Sequence, residues 1–282
     1  MTPVSSALAG ALRVQPRRSQ AASGAVVELR PDAGVILKQE PGTLVWRETL
    51  ADGSEAAFKL YRRGLLAWLR CRLGSFRTWN EFRALQQLEA LGVRCTSPLF
   101  WSQGHFDRHG WGELLATEWL ASCRPLDEVL AEESGAGTRI NLEPLWTIVG
   151  RLHDAGFMHG TLLARNILVR GESAAPEVFL LDLPRFHRFP YPIRGTRMAR
   201  YDLLLLIHTL LRSRPATEVP QWLTVYGMTA EQQAEFIAQM RRFRNSPRLR
   251  RMAGAEFNVR AMLAAGRHRL RLLGRHGTPK RN

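Results

Sequence analysis

The chain has only three cysteines in 282 residues, Cys71, Cys95 and Cys123. Their odd number, wide spacing and lack of any C-x-x-C pair argue against a disulfide framework or a zinc site, and for a reducing compartment. Acidic residues are also scarce: 25 Asp and Glu stand against 40 Lys and Arg, a net charge of +15. Long apolar runs are missing. The densest, Leu203 to Ile207, falls well short of the roughly 18–20 residues of a membrane span. No charged-then-apolar leader opens the sequence, because Arg13, Arg17 and Arg18 follow the apolar stretch Leu8 to Leu12 instead of preceding it. Together these absences predict a soluble, cytoplasmic protein.

What is present describes a folded chain with a strong field. An apolar fraction of 45% and eight Trp exclude a disordered protein. The length allows a full core divided between two lobes or two small domains. The charge favours polyanionic partners: nucleic acid, anionic lipid head groups or phosphorylated small molecules. Most of it lies at one end, where residues 241–282 hold thirteen Lys and Arg against the single acid Glu256.

The patterning changes along the chain. Residues 1–24 are rich in Ala, Ser and Gly and read as a loose tail. "AVVEL", "GVILKQ", "TLVWRETL" and "EAAFKLY" then read as short strands separated by turn residues, with Asp52-Gly53 as a hairpin signal. The basic, amphipathic "RRGLLAWLRCRLGSFRTW" leads into a helix, "WNEFRALQQLEALG". Phe82, Leu85, Leu88 and Leu91 form its expected apolar stripe and Gly92 its stop. Strands resume after Pro98 and end in "ELLATEWL". Pro125 to Gly156 reads as helix interrupted at "ESGAGT", with an entrance at Asn141 to Pro144 and an apolar face of Leu145, Ile148, Val149 and Leu152. Strands at "NILVR" and "EVFLLDL" precede a helical remainder from about Arg200. The predicted class is α+β: a β-rich first part with one inserted helix, then a helical part with a small hairpin.

Four features could carry chemistry. Lys59 sits in the apolar strand "AAFKLY", where alternation places it on one face with Ala57 and Tyr61; alone it reads as an edge-strand lysine. Glu81, early in its helix, alone reads as a solvated face residue or a favourable first-turn charge. "HGTLLARNIL" forms a loop between a helix and a strand. Asp182 closes the apolar strand "VFLLDL", as a metal-binding or catalytic carboxylate or as a turn cap. His153 and His159, six apart, do not make a helical metal pair and read as packed, hydrogen-bonded histidines.

In order, these parts match the layout of protein kinases. The segments "FKLYRR", "WNEFRALQQLEALGV", "RLHDAGFMHG", "ARNILV", "FLLDLPRF" and "RMARYDLLLLIHTLL" make the chain resemble the lipopolysaccharide kinase family of Kdo and heptose kinases. The likeness runs from about Val26 to Leu211. It implies a bilobal kinase-like fold, with a β-rich lobe at 25–120, a helical lobe at 121–262 and a basic tail at 263–282. It also implies ATP and Mg²⁺ as cofactors. Lys59 would hold the α- and β-phosphates and be held by Glu81, and Asn166 and Asp182 would hold the metal. Glu118 and Leu120 would meet adenine near a hinge that continues into Ala121. His159 would brace the loop, and Asp202 would anchor its backbone or be an ordinary helix-terminal acid.

Two departures stand out. The phosphate-covering turn at Glu40-Pro41-Gly42 has one glycine, and Thr161 stands where the family pattern carries a catalytic aspartate. The expected activity is transfer of a phosphoryl group to a sugar hydroxyl of an anionic glycolipid. A nucleotide-binding pseudokinase and a basic nucleic-acid-binding protein are the alternatives, the last disfavoured by the few aromatics among the C-terminal basic residues. Basic segments 62–77 and 241–281 fit peripheral attachment to the inner face of an anionic inner membrane or an ordinary solvated face.

Overall fold

The structure is a computed structural model that describes residues 34–62, 77–106, 110–136, 139–183 and 185–245. The expected strand "AVVEL", the amphipathic stretch 63–76, both tails and most of the basic C-terminal segment lie outside these residues. The chain divides into two compact units, one of residues up to Cys123 together with Leu180–Pro184, the other of Arg124–Phe179 and the residues from Arg185 onward.

The first unit is built on an antiparallel sheet. Its strands are β1 (Val35–Glu40), β2 (Thr43–Thr49), β3 (Glu55–Arg62), β4 (Pro98–Phe106) and β5 (Gly110–Glu118), in the order β1-β2-β3-β5-β4. Pro41-Gly42 makes the two-residue turn between β1 and β2, with Glu40 opposite Thr43. Around Asp52-Gly53 the side chain of Asp52 accepts from the Ser54 amide at 2.9 Å, the local bond that makes Asp-Gly a turn signal. One sheet face buries Leu44, Trp46, Phe58, Leu60, Leu114 and Ala116 as a continuous core. Trp46 and Phe58 are cross-strand partners and stack at 5.1 Å.

Helix α1 (Arg77–Ala90) buries Phe82, Leu85 and Leu88. The fourth member of the expected stripe, Leu91, is 41% exposed, because the helix has already ended. Val93 donates to Leu88 O at 3.0 Å and Gly92 to Glu89 O at 2.9 Å, the paired bonds of a glycine C-terminal cap. Gly92 has φ +67° with open space around an added Cβ. Gly92→Ala is therefore expected to cost only the left-handed backbone penalty, about 1–2 kcal/mol, read as a lowered urea midpoint with an unchanged slope.

The second unit is mostly helical. It contains β6 (Arg124–Pro125), α2 (Leu126–Ala136), α3 (Glu143–Asp154), β7 (Phe157–Met158), a 3₁₀ turn (Ala164–Asn166), β8 (Ile167–Arg170) and β9 (Glu177–Leu180, its last residue counted with the first unit). β10 (His187–Arg188), α4 (Arg197–Leu210), α5 (Val219–Tyr226) and α6 (Ala230–Asn245) follow. Helix α2 ends at Ala136, inside the stretch "ESGAGT" where the sequence pattern predicts a break, having first run on through Ser134 and Gly135; one glycine costs a helix only about 1 kcal/mol. At the entrance of α3, Asn141 Oδ1 accepts the Glu143 amide at 3.0 Å and Pro144 sits in the first turn, where its missing N–H costs nothing. Ile148 of its predicted apolar face is only half-buried. Trp146 of α3 stacks on Trp222 of α5 at 5.7 Å, and α4 buries Leu203, Leu206, Ile207 and Leu210. Among the described residues no helix is long and apolar enough to cross a membrane.

Candidate active site

Among the described residues, one polar cluster in each unit holds the candidate residues. In the first, Lys59 lies on β3 between Val45 of β2 and Leu115 of β5. It is thus on a central strand, and the edge-strand reading fails. Its ammonium donates to Glu81 Oε1 at 3.2 Å and pairs closely with Asp182 Oδ1. Glu81 is only 3% exposed, which overturns its reading as a solvated acid: position 81 falls on the buried side of α1, one turn before Leu85. Its Oε2 also accepts from Tyr61 Oη at 3.4 Å, and the Arg77 guanidinium lies over the Tyr61 ring at 4.2 Å.

The electrostatics follow from this crowding. Burial opposes the charge on Lys59, but Glu81, Tyr61 and Asp182 outweigh it and hold the ammonium pKa above its ordinary value. Burial pushes the Glu81 carboxyl upward against the pull of Lys59, and it also raises the Tyr61 phenol, with Glu81 adding to the effect. Asp182 adopts φ +55°, a left-handed backbone that costs a non-glycine residue about 1–3 kcal/mol and recurs at functional positions.

The predicted hinge residues occupy the end of β5. The strand stops at Glu118, two residues before the expected Leu120. The Glu118 amide donates to Ser97 O at 2.9 Å and the Trp119 amide to Glu55 O at 2.9 Å, while Trp119 O accepts from Ala121. The sheet pairing is exhausted there and the chain turns, with Ser122 at φ +60°. Leu120 is buried.

The second cluster holds the loop 159–166. Asp202 of α4 is fully buried and accepts the main-chain amides of His159 at 2.7 Å and Gly160 at 2.9 Å. His153 of α3 reaches Asp202 Oδ2 through Nε2 at 3.3 Å and Tyr226 Oη of α5 through Nδ1 at 2.7 Å. This network ties three helices to one loop. Gly160 has φ +79°, and an added Cβ would run into Arg185 O, so the loop closes there only with glycine. The side-chain Nδ2 of Asn166 donates to Thr161 O at 2.8 Å, which leaves its side-chain oxygen to act as an acceptor or metal ligand. Thr161 Oγ1 lies 3.4 Å from His159 Nδ1. The Ala164 amide donates to Thr209 Oγ1 of α4 at 3.0 Å, a second tie from the loop to that helix.

A strand lysine paired with a buried helix glutamate and a post-strand aspartate is the layout that the resemblance to lipopolysaccharide kinases implies. So is an aspartate holding the backbone of the loop that carries the asparagine. The model of the "Lipopolysaccharide kinase (Kdo/WaaP) family" matches residues 43–238. The chain belongs to the lipopolysaccharide kinase family. A solved structure described as "WaaP in complex with acyl carrier protein" matches with a TM-score of 0.57 at 19% identity, over 74% of this chain and 86% of that one; at that identity the likeness speaks for the kinase-like fold. A comparison with curated protein sequences finds no match.

The sequence pattern assigns no role to three further residues. Tyr61 follows Lys59 by two positions on the same sheet face. Tyr226 completes the His153–Asp202 network from another helix. Glu113 is an isolated acid within the apolar run of β5, and that isolation is its signal in the sequence.

Proposed function

We propose that the chain transfers the γ-phosphoryl group of ATP to a sugar hydroxyl of the lipopolysaccharide core or a related anionic glycolipid. The observation that carries this reading is the pairing of Lys59 with the buried Glu81 and with Asp182. It keeps a permanently charged ammonium in place for the α- and β-phosphates, where a lysine acts as a point charge.

Two residues carry, each taken by itself, an oxygen of the kind a magnesium ion takes. Asp182 supplies a carboxylate that is 39% exposed at its side chain, and Asn166 an amide oxygen left available by the bond from its nitrogen. Mg²⁺ favours hard oxygen ligands, taking one or two from protein and the rest from phosphates and water. When bound, it neutralises the charge that accumulates on the phosphate oxygens. Lys59 binds the phosphates, and Glu81 holds Lys59. The backbone near Glu118 and Leu120 receives the base. Asp202 and His159 fix the main chain of the loop that presents Thr161 and Asn166.

In the transfer, the acceptor oxygen bonds to the γ-phosphorus as the bond to the β–γ bridging oxygen breaks, giving phosphorylated sugar and ADP. Thr161 can accept a hydrogen bond from the acceptor hydroxyl but takes no proton near neutral pH. The proton therefore leaves with a phosphate oxygen. Loose phosphoryl-transfer transition states draw mainly on positioning and charge stabilisation, so the missing base slows this route without closing it. The basic segments 62–77 and 241–281 would hold the protein beside an anionic membrane surface, where such an acceptor resides.

Thr161 also favours a second reading, a pseudokinase that binds Mg·ATP and transfers nothing. The test uses γ-labelled ATP with a delipidated core oligosaccharide. The kinase reading expects Mg·ATP to raise the melting temperature and label to reach the oligosaccharide. It also expects Thr161→Asp to speed transfer, by up to the roughly 10²–10⁴-fold worth of a general base. Mg·ATP stabilisation without transfer by either form would establish the pseudokinase. No stabilisation of the unaltered chain would overturn both.

A further inference from the structure

Glu113 is 1% exposed, on β5 directly opposite Tyr61 of β3. Cross-strand partners point to the same side of a sheet, as do residues two apart on one strand. Glu113 therefore shares its face with Tyr61 and Lys59, the face on which α1 lies. Its Oε2 accepts two bonds from Thr78, from the amide at 2.8 Å and from the hydroxyl at 3.1 Å. Thr78 is fully buried in the first turn of α1.

That first turn contains no acidic residue of its own. A helix N-terminus leaves amides in need of acceptors and carries partial positive charge, and a carboxylate answers both demands. Here it comes from the neighbouring strand. Thr78 and Glu81 are three apart, so they stand on one side of the helix. Three cross-links then join that side to the sheet: Thr78 to Glu113, Glu81 to Tyr61 and Glu81 to Lys59. The last two depend on where the start of α1 sits, and the first fixes it.

We propose that Glu113 is a positioning residue of the nucleotide site, capping α1 from β5 and so holding Glu81 against Lys59. This rests on the reading of Lys59 as the phosphate-binding lysine. The weakened cap lets α1 occupy positions in which Glu81 no longer holds Lys59, and apparent affinity falls with the fraction of correctly placed helix.

The test is a titration of the full-length chain with a fluorescent ATP analogue and Mg²⁺. It compares the unaltered protein with Glu81→Ala, Glu113→Ala, Glu113→Gln and the double variant Glu81→Ala/Glu113→Ala. Glu113→Ala is expected to weaken binding on the order of five- to tenfold, the scale of a lost helix cap. Glu113→Gln, which keeps an acceptor oxygen, restores most of it. In the Glu81→Ala background, Glu113→Ala adds no further loss, since its effect runs through Glu81; a purely structural role would leave the two losses additive. Unchanged affinity in Glu113→Ala, or additive losses, overturns the positioning role. Should Glu113→Ala not fold, Thr78→Val, which removes one of the two bonds to Glu113, goes through the same cycle, and additive losses there overturn it equally. Absence of Mg·ATP binding by the unaltered chain overturns the proposed function together with this inference, whereas binding with additive losses overturns the inference alone.

Discussion

Lys59→Ala is expected to weaken Mg·ATP binding by roughly 10²–10³-fold, the scale of removing a charged hydrogen-bond donor from a preorganised site. The native ammonium keeps its proton across the working pH range, because Glu81, Tyr61 and Asp182 overcome the burial that opposes its charge. Alanine removes that charge and also strands Glu81, whose side chain is 4% exposed. Burial already raises the Glu81 carboxyl, and without Lys59 nothing as strong pulls it back. A carboxyl whose folded pKa lies above its unfolded value adds stability below the unfolded pKa and loses it as pH rises through the folded one. Lys59→Ala should therefore lose more stability at pH 8 than at pH 5, up to about 3–5 kcal/mol if Glu81 stays ionised. Urea unfolding at the two pH values measures this, and titration with Mg·ATP measures the binding loss. Adding Glu81→Gln to Lys59→Ala separates the effects: stability at pH 8 returns, binding does not. Binding within twofold of the unaltered chain would remove Lys59 from the phosphate site.

The parts of this site differed in how far the sequence revealed them. Strand alternation and turn residues marked β2, β3 and the hairpin at Asp52-Gly53, because those signals are local. Lys59 was ambiguous alone, since strand order is a long-range property: only pairing with both β2 and β5 shows it to be central. Glu81 read as a surface acid because the lysine that offsets its burial lies 22 residues away. Glu113 and Tyr226 belong to no motif, and their partners Thr78 and His153 lie 35 and 73 residues away in the chain. The helix ends have local causes. Leu91 keeps the helical period one residue past the last helical residue, Ala90, as the backbone turns into Gly92, and α2 passes Gly135 by one residue before it ends within the expected break.

Thr161 reads differently once its backbone is considered. The loop is held through the amides of His159 and Gly160, and Asn166 is oriented by the carbonyl of residue 161. None of these bonds uses the side chain at 161. Replacing an aspartate there removes a proton acceptor and leaves the orientation of Asn166 intact. Loss of one chemical step is thus compatible with full retention of the surrounding geometry, which is why transfer and nucleotide binding must be measured separately.

That geometry depends most on Asp202. Asp202→Ala is expected to destabilise the chain by about 3–5 kcal/mol, because it leaves buried donors without their acceptor. The amides of His159 and Gly160 both end on this carboxylate, and His153 reaches the same oxygen as His159. Water cannot readily replace it, since Asp202 and His153 are both fully buried. Asp202→Asn is a sharper probe than alanine. Its amide keeps one acceptor oxygen but turns an NH₂ group toward a position where an N–H already points, so it is expected to cost nearly as much as truncation despite equal size. Urea unfolding gives the cost, and hydrogen exchange at His159 and Gly160 locates it. Both amides should lose protection in either variant before the α4 core around Leu203 and Leu206 does. A variant whose urea midpoint and loop protection match the unaltered chain would show that His153, Tyr226 and the tie from Ala164 to Thr209 hold the loop without the carboxylate.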